Sequence, residues 1–134
     1  MANNSNTDTF TINVTGTKTG QNYAGKFTVK VWLSFGDELN RDGLRRSLLG
    51  PAAGTPADGV VNVAEVLSDL GIRIVEGPSW WQESQGGTTI LDAEVISELW
   101  KQTMAVPTKA MEALKKTAET SKVNVAAQET DAVA

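Results

Sequence analysis

The chain of 134 residues has no cysteine and no histidine. Their absence removes disulfide staples, thiolate nucleophiles, imidazole bases and nearly every structural zinc site. Aromatic residues are scarce as well: three Phe, one Tyr and four Trp. In so small a domain the tryptophans are the main source of large apolar volume. No apolar run approaches the ~18 residues of a membrane span. The opening residues MANNSNTDT lack the charge and apolar centre of a signal peptide. The chain is therefore expected to stay in the compartment where it is made, or to join an assembly there.

Other absences narrow the chemistry. No GxGxxG follows a strand, and GPAAGTPADG lacks the Lys-Ser/Thr that a phosphate-cradling loop needs. The carboxylate pairs Asp37/Glu38 and Asp92/Glu94 fall in first helical turns, where capping accounts for them. We therefore expect no enzyme, cofactor, metal or small-molecule substrate. The net charge is −4, with six Lys/Arg against four Asp/Glu in residues 1–50 and six against twelve in residues 51–134. An acidic chain is poorly suited to sequence-independent nucleic-acid binding, which needs several cations on one face.

What is present reads as one α+β domain over residues 9–106. A flexible arm (1–8) precedes it, and a C-terminal helix with an acidic tail (107–134) follows. Phe10, Ile12 and Val14 alternate with polar residues and predict a half-buried strand. Gly16–Gly25 reads as a loop, and Phe27, Val29, Val31 and Leu33 predict a second strand, completing a hairpin. Trp32 lies on its polar face, either over Lys30 or a nearby loop, or as an interface anchor. Ser34 and Asp37 form a capping-box pattern for a helix ending at Gly50-Pro51, with Phe35, Leu39, Leu44 and Leu48 as its apolar positions. Arg41 and Arg45 share a face of this helix. Pairing of Asp37 with Arg41, and of Asp42 with Arg45 or Arg46, would make that face solvated and self-neutralised. The other reading is a phosphate or carboxylate site.

Pro51–Gly59 reads as a flexible loop, a place for a hinge or contact arm. A short helix over Val60–Leu70 is expected, with Asn62 and Glu65 as its cap pair and Gly71 as its stop. The string IRIV (72–75) would then add a third strand. In EGPSWWQ, Ser79 and Gln82 suggest a capped helical turn holding Trp80 and Trp81. Adjacent helical positions point about 100° apart. Either both rings serve the core, or one is core and the other is a lid or interface residue. Thr88–Leu91 has room to be extended. Asp92 then starts a helix whose face is Val95, Ile96, Leu99, Trp100 and Met104, and Pro107 kinks it or opens the next one. From Thr108 the stripe Met111, Leu114 and Ala118 is narrow enough to suit contact with another chain. Residues 123–134 read as a tail. The fold expected is thus a hairpin or three-stranded antiparallel sheet covered by three to four helices, with extended termini.

The string FTVKVWLSFGDELNRDGLRRSLLG, followed by GPSWWQES and LDAEVISELWKQTM, resembles small proteins encoded in the structural-gene modules of tailed bacteriophages. The resemblance covers about residues 10–115 and is one of element order. It implies a virion component: a minor capsid, cement or decoration subunit, assembled in the host cytoplasm and binding a repeated protein lattice in many copies. The hairpin, the Trp-rich turn and the termini would make the contacts, with Trp32, Trp80, Trp81, Arg41, Arg45, Met111 and Leu114 as candidate interface residues. A tail-assembly chaperone that binds the tape-measure protein is the alternative. A host-side binding domain unrelated to phage is a third.

Overall fold

The computed structural model describes residues 6–50 and 58–133, with side chains of the last helix described to Thr120. The expectations for residues 1–5 of the arm, for most of the Pro51–Gly59 loop and for the side chains of the tail lie outside these. Among the described residues, β1 (Thr7–Thr15), β2 (Asn22–Lys30), α1 (Phe35–Leu49), α2 (Asp58–Arg73), β3 (Ile74–Glu76), α3 (Ser79–Gln82) and α4 (Ala93–Val133) follow in that order. The fold is α+β, with one antiparallel sheet of order β1-β2-β3.

The alternation in β1 places Phe10, Ile12 and Val14 on the covered face, where Phe10 stands opposite Phe27 and Val14 opposite Tyr23. Thr7 and Asp8, expected in the mobile arm, are part of this ladder. β2 starts earlier and ends sooner than its alternation predicts, so the hairpin loop shrinks to Gly16–Gln21. Gly25, which reads as a loop signal, sits inside the strand at φ +153°, and a Cβ there would lie 2.8 Å from Pro78 Cγ. The glycine is needed for close approach of Pro78. Beyond Lys30, Asn6 holds the chain: its backbone and side-chain oxygens accept from the Val31 and Trp32 N–H groups at 2.8 and 2.9 Å.

A further glycine reading is corrected, and of the two Pro107 readings the start of a new helix is set aside. α2 runs through Gly71 to Arg73, so Gly71 does not stop it, Asn62 and Glu65 lie within it, and the third strand starts at Ile74. The missing Cβ of Gly71 lets Leu44 of α1 approach, since a Cβ there would stand 2.9 Å from Leu44 Cδ2. α4 is one helix of 41 residues with Pro107 inside it and no tail split off before Val133. A single proline forfeits one backbone hydrogen bond. The strong helix formers after it carry the helix on for about 60 Å in all. No helix among the described residues is long and apolar enough to cross a membrane.

The core sits between the sheet, α2, α3 and the first half of α4, built on Ile12, Phe27, Leu70, Trp81, Val95 and Leu99. A smaller cluster of Val29, Val31 and Val106 extends it under the hairpin end. α3 begins at Ser79 with Pro78 as its N-cap and no side-chain cap, so the expected Ser79/Gln82 capping box does not form. Instead Gln82 Nε2 donates to the Gly77 carbonyl at 3.0 Å. Thr88 and Thr89 lie in turns, with Ile90 and Leu91 outside any regular element, and no extended segment forms there.

Asp92 is fully buried and ties α4 to the hairpin loop. Its Oδ1 accepts from the Lys18 and Thr19 N–H groups at 2.7 and 3.3 Å, and its Oδ2 from Thr19 Oγ1 at 2.6 Å and Tyr23 Oη at 3.1 Å. Two residues on, Glu94 Oε1 accepts from Thr17 N at 2.6 Å. The Thr19 hydroxyl, followed by the Lys18 amide and the Tyr23 hydroxyl, holds the Asp92 carboxyl below the usual carboxylate range against the opposing effect of burial. A carboxyl depressed on folding stabilises the protein above its unfolded pKa of about 4, and that contribution is lost as pH falls through the folded value. Asp92→Asn should therefore lower the thermal midpoint by several degrees at pH 7, with the gap to the parent closing below about pH 4. A gap unchanged between pH 7 and pH 2 would show that the charge is irrelevant.

Candidate functional site

The residues expected at an interface separate into three places. Trp80 and Trp81 are in the core region. Trp81 is 7% exposed and meets Phe27 edge-on at 6.1 Å. Trp80, half-buried, stands edge-on to Tyr23 at 5.1 Å and to Phe27 at 5.6 Å, and its indole N–H donates to the Ala24 carbonyl at 2.9 Å. Both rings therefore flank Phe27, and Trp81 has little surface left for a partner.

Arg41 and Arg45 line a polar cleft of about 340 Å³ between α1 and α2, with Asp42, Glu65, Asp69 and Trp100. Arg41 does not pair with Asp37. Its Nη1 donates to Asp69 Oδ1 of α2 at 2.9 Å, while Asp37 takes Lys30 Nζ at 2.7 Å. The Lys30 ammonium, then the Ser34 amide, hold the Asp37 carboxyl below its ordinary value. Asp42 does pair with Arg45 and Arg46, at 2.9 and 3.1 Å, and the Arg45 hydrogen bond lowers its carboxyl in the same way. Each arginine thus has a carboxylate partner, and little unbalanced positive charge is left to recruit an anion. Among the described residues, no three His, Cys, Asp or Glu side chains converge to hold a metal ion.

Trp32 and Leu114 come together. The hairpin end and α4 form a groove of about 480 Å³ lined by Asp8, Val31, Trp32, Val106, Lys109 and Leu114, among others. α4 creates this groove by outrunning the sheet. Val95, Leu99, Thr103 and Val106 are buried in successive turns, whereas residues 111–120 are all exposed. Met111 and Leu114, 49% and 58% exposed, lie on that overhang, and Trp32 is 41% exposed across from it. Asn6 fixes the Trp32 backbone from both sides, through Oδ1 to the N–H and through Nδ2 to the carbonyl at 3.0 Å. The indole is therefore presented from a rigid backbone.

Two apolar features were missed by sequence reasoning. Phe35 and Leu39 form part of the helical stripe of α1, yet they are 87% and 74% exposed, and α1 buries no residue fully. The half-buried Arg41, Leu44, Arg45 and Leu48 take the inward side instead. The second is an apolar groove of about 430 Å³ between α2 and α4, where Val63, Val66, Ile90, Leu91, Ile96 and Trp100 converge. Val63 and Ile96 carry a stripe signal, but Leu91 belongs to no regular element, and only the packing of α2 beside α4 brings them together. Comparison of the chain with protein-family models, curated proteins and solved structures finds no match.

Proposed function

We propose that this protein is a non-enzymatic virion subunit of a tailed phage, of the minor capsid, cement or decoration kind, which binds a repeated protein lattice. The groove between Trp32 and the α4 overhang carries this reading, because it joins a rigidly mounted aromatic ring to an exposed apolar helix face. Among the described residues, ring and helix each lack a cover over the exposed fraction quoted above. Burying apolar surface at about 25 cal/mol per Å² is the main favourable term in such docking. Many copies on a symmetric lattice would add avidity to a modest single contact. The contact thus shifts from the Trp80/Trp81 turn to Trp32, Met111 and Leu114.

Purified particles analysed by mass spectrometry should contain the chain. On particles lacking it, Trp32→Ala or Leu114→Ser should weaken rebinding on the order of thirtyfold, the scale of a central aromatic or apolar anchor. Both positions are exposed enough that folding should be kept, which circular dichroism checks. Unchanged rebinding by both variants would remove the groove from the interface. The long α4 supports one other reading, a tail-assembly chaperone whose exposed helix packs along a helical tape-measure protein. In that case the chain would be missing from finished particles.

A further inference from the structure

The outward face of α1 is graded in size. Phe35, Leu39, Gly43 and Ser47 recur at every fourth residue, so they form one stripe about 120° wide. All four are exposed. Two large apolar residues occupy its N-terminal half and two small ones its C-terminal half. Glycine inside a helix is destabilising relative to alanine. A Cβ at Gly43 would meet nothing within 4 Å, so this glycine, unlike Gly71, makes room for no element among the described residues. Charge follows the same grading. Glu38 and Arg46 lie on the Phe35 side of the stripe, one in each half. Glu38 is exposed and has no side-chain partner among the described residues, and the Arg46 side chain is 70% exposed even while paired with Asp42.

We propose that α1 docks antiparallel on α1 of a second copy, about a two-fold axis level with residue 41. In that register Leu39 sits over Gly43 of the other copy and Phe35 over Ser47, so each large side chain meets a small one, as ridges meet grooves in close helix packing. The two-fold also brings the same flank of both helices together. Glu38 then lies within about 3 Å, along the helix axis, of Arg46 of the other copy, and this pairing occurs twice. The two helix dipoles oppose each other, which is favourable as well. Other arrangements lose these matches. Sliding by one turn sets Leu39 on Leu39 or Gly43 on Gly43, and a parallel pair sets Phe35 on Phe35 and Glu38 beside Glu38. Every position used lies inside the single regular helix Phe35–Leu49, so helical geometry alone fixes the levels. Size and charge select the same partner and the same register.

Self-docking of α1 is independent of lattice binding and is tested on the isolated protein. Sedimentation should show a concentration-dependent dimer. Gly43→Leu fills the notch, so it should weaken the dimer at least about tenfold while leaving the thermal midpoint no lower, because the site is open within the chain and leucine is the better helix former. Adding Leu39→Ala to it moves the notch to the facing position and should recover most of the loss. Association through mere apolar stickiness would instead be strengthened by the added leucine. Glu38→Lys and Arg46→Glu should each weaken the dimer about fivefold, and the double variant Glu38→Lys/Arg46→Glu should restore it. A protein that stays monomeric at high concentration overturns the proposal and leaves the face to a different chain. So does a dimer that Gly43→Leu leaves unchanged or tightens, or a size swap or charge swap that fails to restore it.

Discussion

Trp81→Ala should destabilise the protein by about 3–5 kcal/mol, the usual cost of emptying a large aromatic site in a core. Against a typical total of about 5–15 kcal/mol, that is enough to leave the variant marginal at room temperature. The expectation follows from how the ring is held. It is 7% exposed and edge-on to Phe27, and it closes against Gly77 and Gly87, where added Cβ atoms would stand 3.0 and 3.1 Å from its carbons. So many contacts on every side leave little freedom for the surroundings to collapse into the void. Trp80→Ala should cost less, because that ring is only half-buried, although it also orphans the Ala24 carbonyl. Trp32→Ala should change stability by less than about 1 kcal/mol, as expected of a largely exposed position. Urea unfolding of the three variants gives the order directly. If Trp81→Ala kept the parent midpoint, the ring would have to be accounted for as surface, and the anchor assignment would move back to the Trp-Trp turn.

Asp69→Ala is expected to be nearly as damaging, for an electrostatic reason. Asp69 is 4% exposed and bridges two arginines, Arg41 from α1 at 2.9 Å and Arg73 from its own helix at 2.7 Å. Arg73 is 9% exposed, and its Nη1 is buried without a hydrogen-bond partner among the described residues. Removing the carboxylate leaves a desolvated guanidinium with no counter-charge, which costs about 3–5 kcal/mol in such settings. Arg41→Ala should cost no more than about 1 kcal/mol, since Asp69 keeps Arg73 and the Arg41 side chain is more than a third exposed. The joint replacement Asp69→Leu/Arg73→Met should recover most of the loss, because a packed apolar pair needs no solvation. α1 offers a second readout. It has no fully buried residue, so in Asp69→Ala its amides should exchange with solvent faster than those of α2. Equal losses from Asp69→Ala and Arg41→Ala would mean that the bridge to Arg73 carries no special weight.

The parts of this fold that could be read along the chain are those set by neighbours in sequence. Ser34 Oγ accepts from Asp37 N at 3.0 Å and Asp37 Oδ2 from Ser34 N at 3.1 Å, a reciprocal box spelled out within four residues. The hairpin follows from alternation, because a one-residue slip would turn Phe10, Ile12 and Val14 to water. The self-paired Asp42 with Arg45 and Arg46 is likewise a matter of helical spacing. Glycine misled where its use was tertiary. Gly25 and Gly71 look like breaks in the sequence, but each gives another element room, Pro78 in one case and Leu44 in the other. Pro107 could have sat within a helix or opened the next, and the helix passes through it.

The sequence by itself determined the α+β class, the hairpin faces, the first helix with its cap and the absence of His and Cys chemistry. Each rests on short-range backbone preference or on plain composition. The tertiary structure alone decided which tryptophan faces outward, that Asp69 joins Arg41 and Arg73, and that Asp92 holds a loop some seventy residues away. It also decided that Trp32 and Leu114 share a groove. These outcomes depend on how elements far apart in the chain settle against one another. The same residue types at the same spacings would serve equally well buried or exposed, and only the neighbour across the interface separates the two.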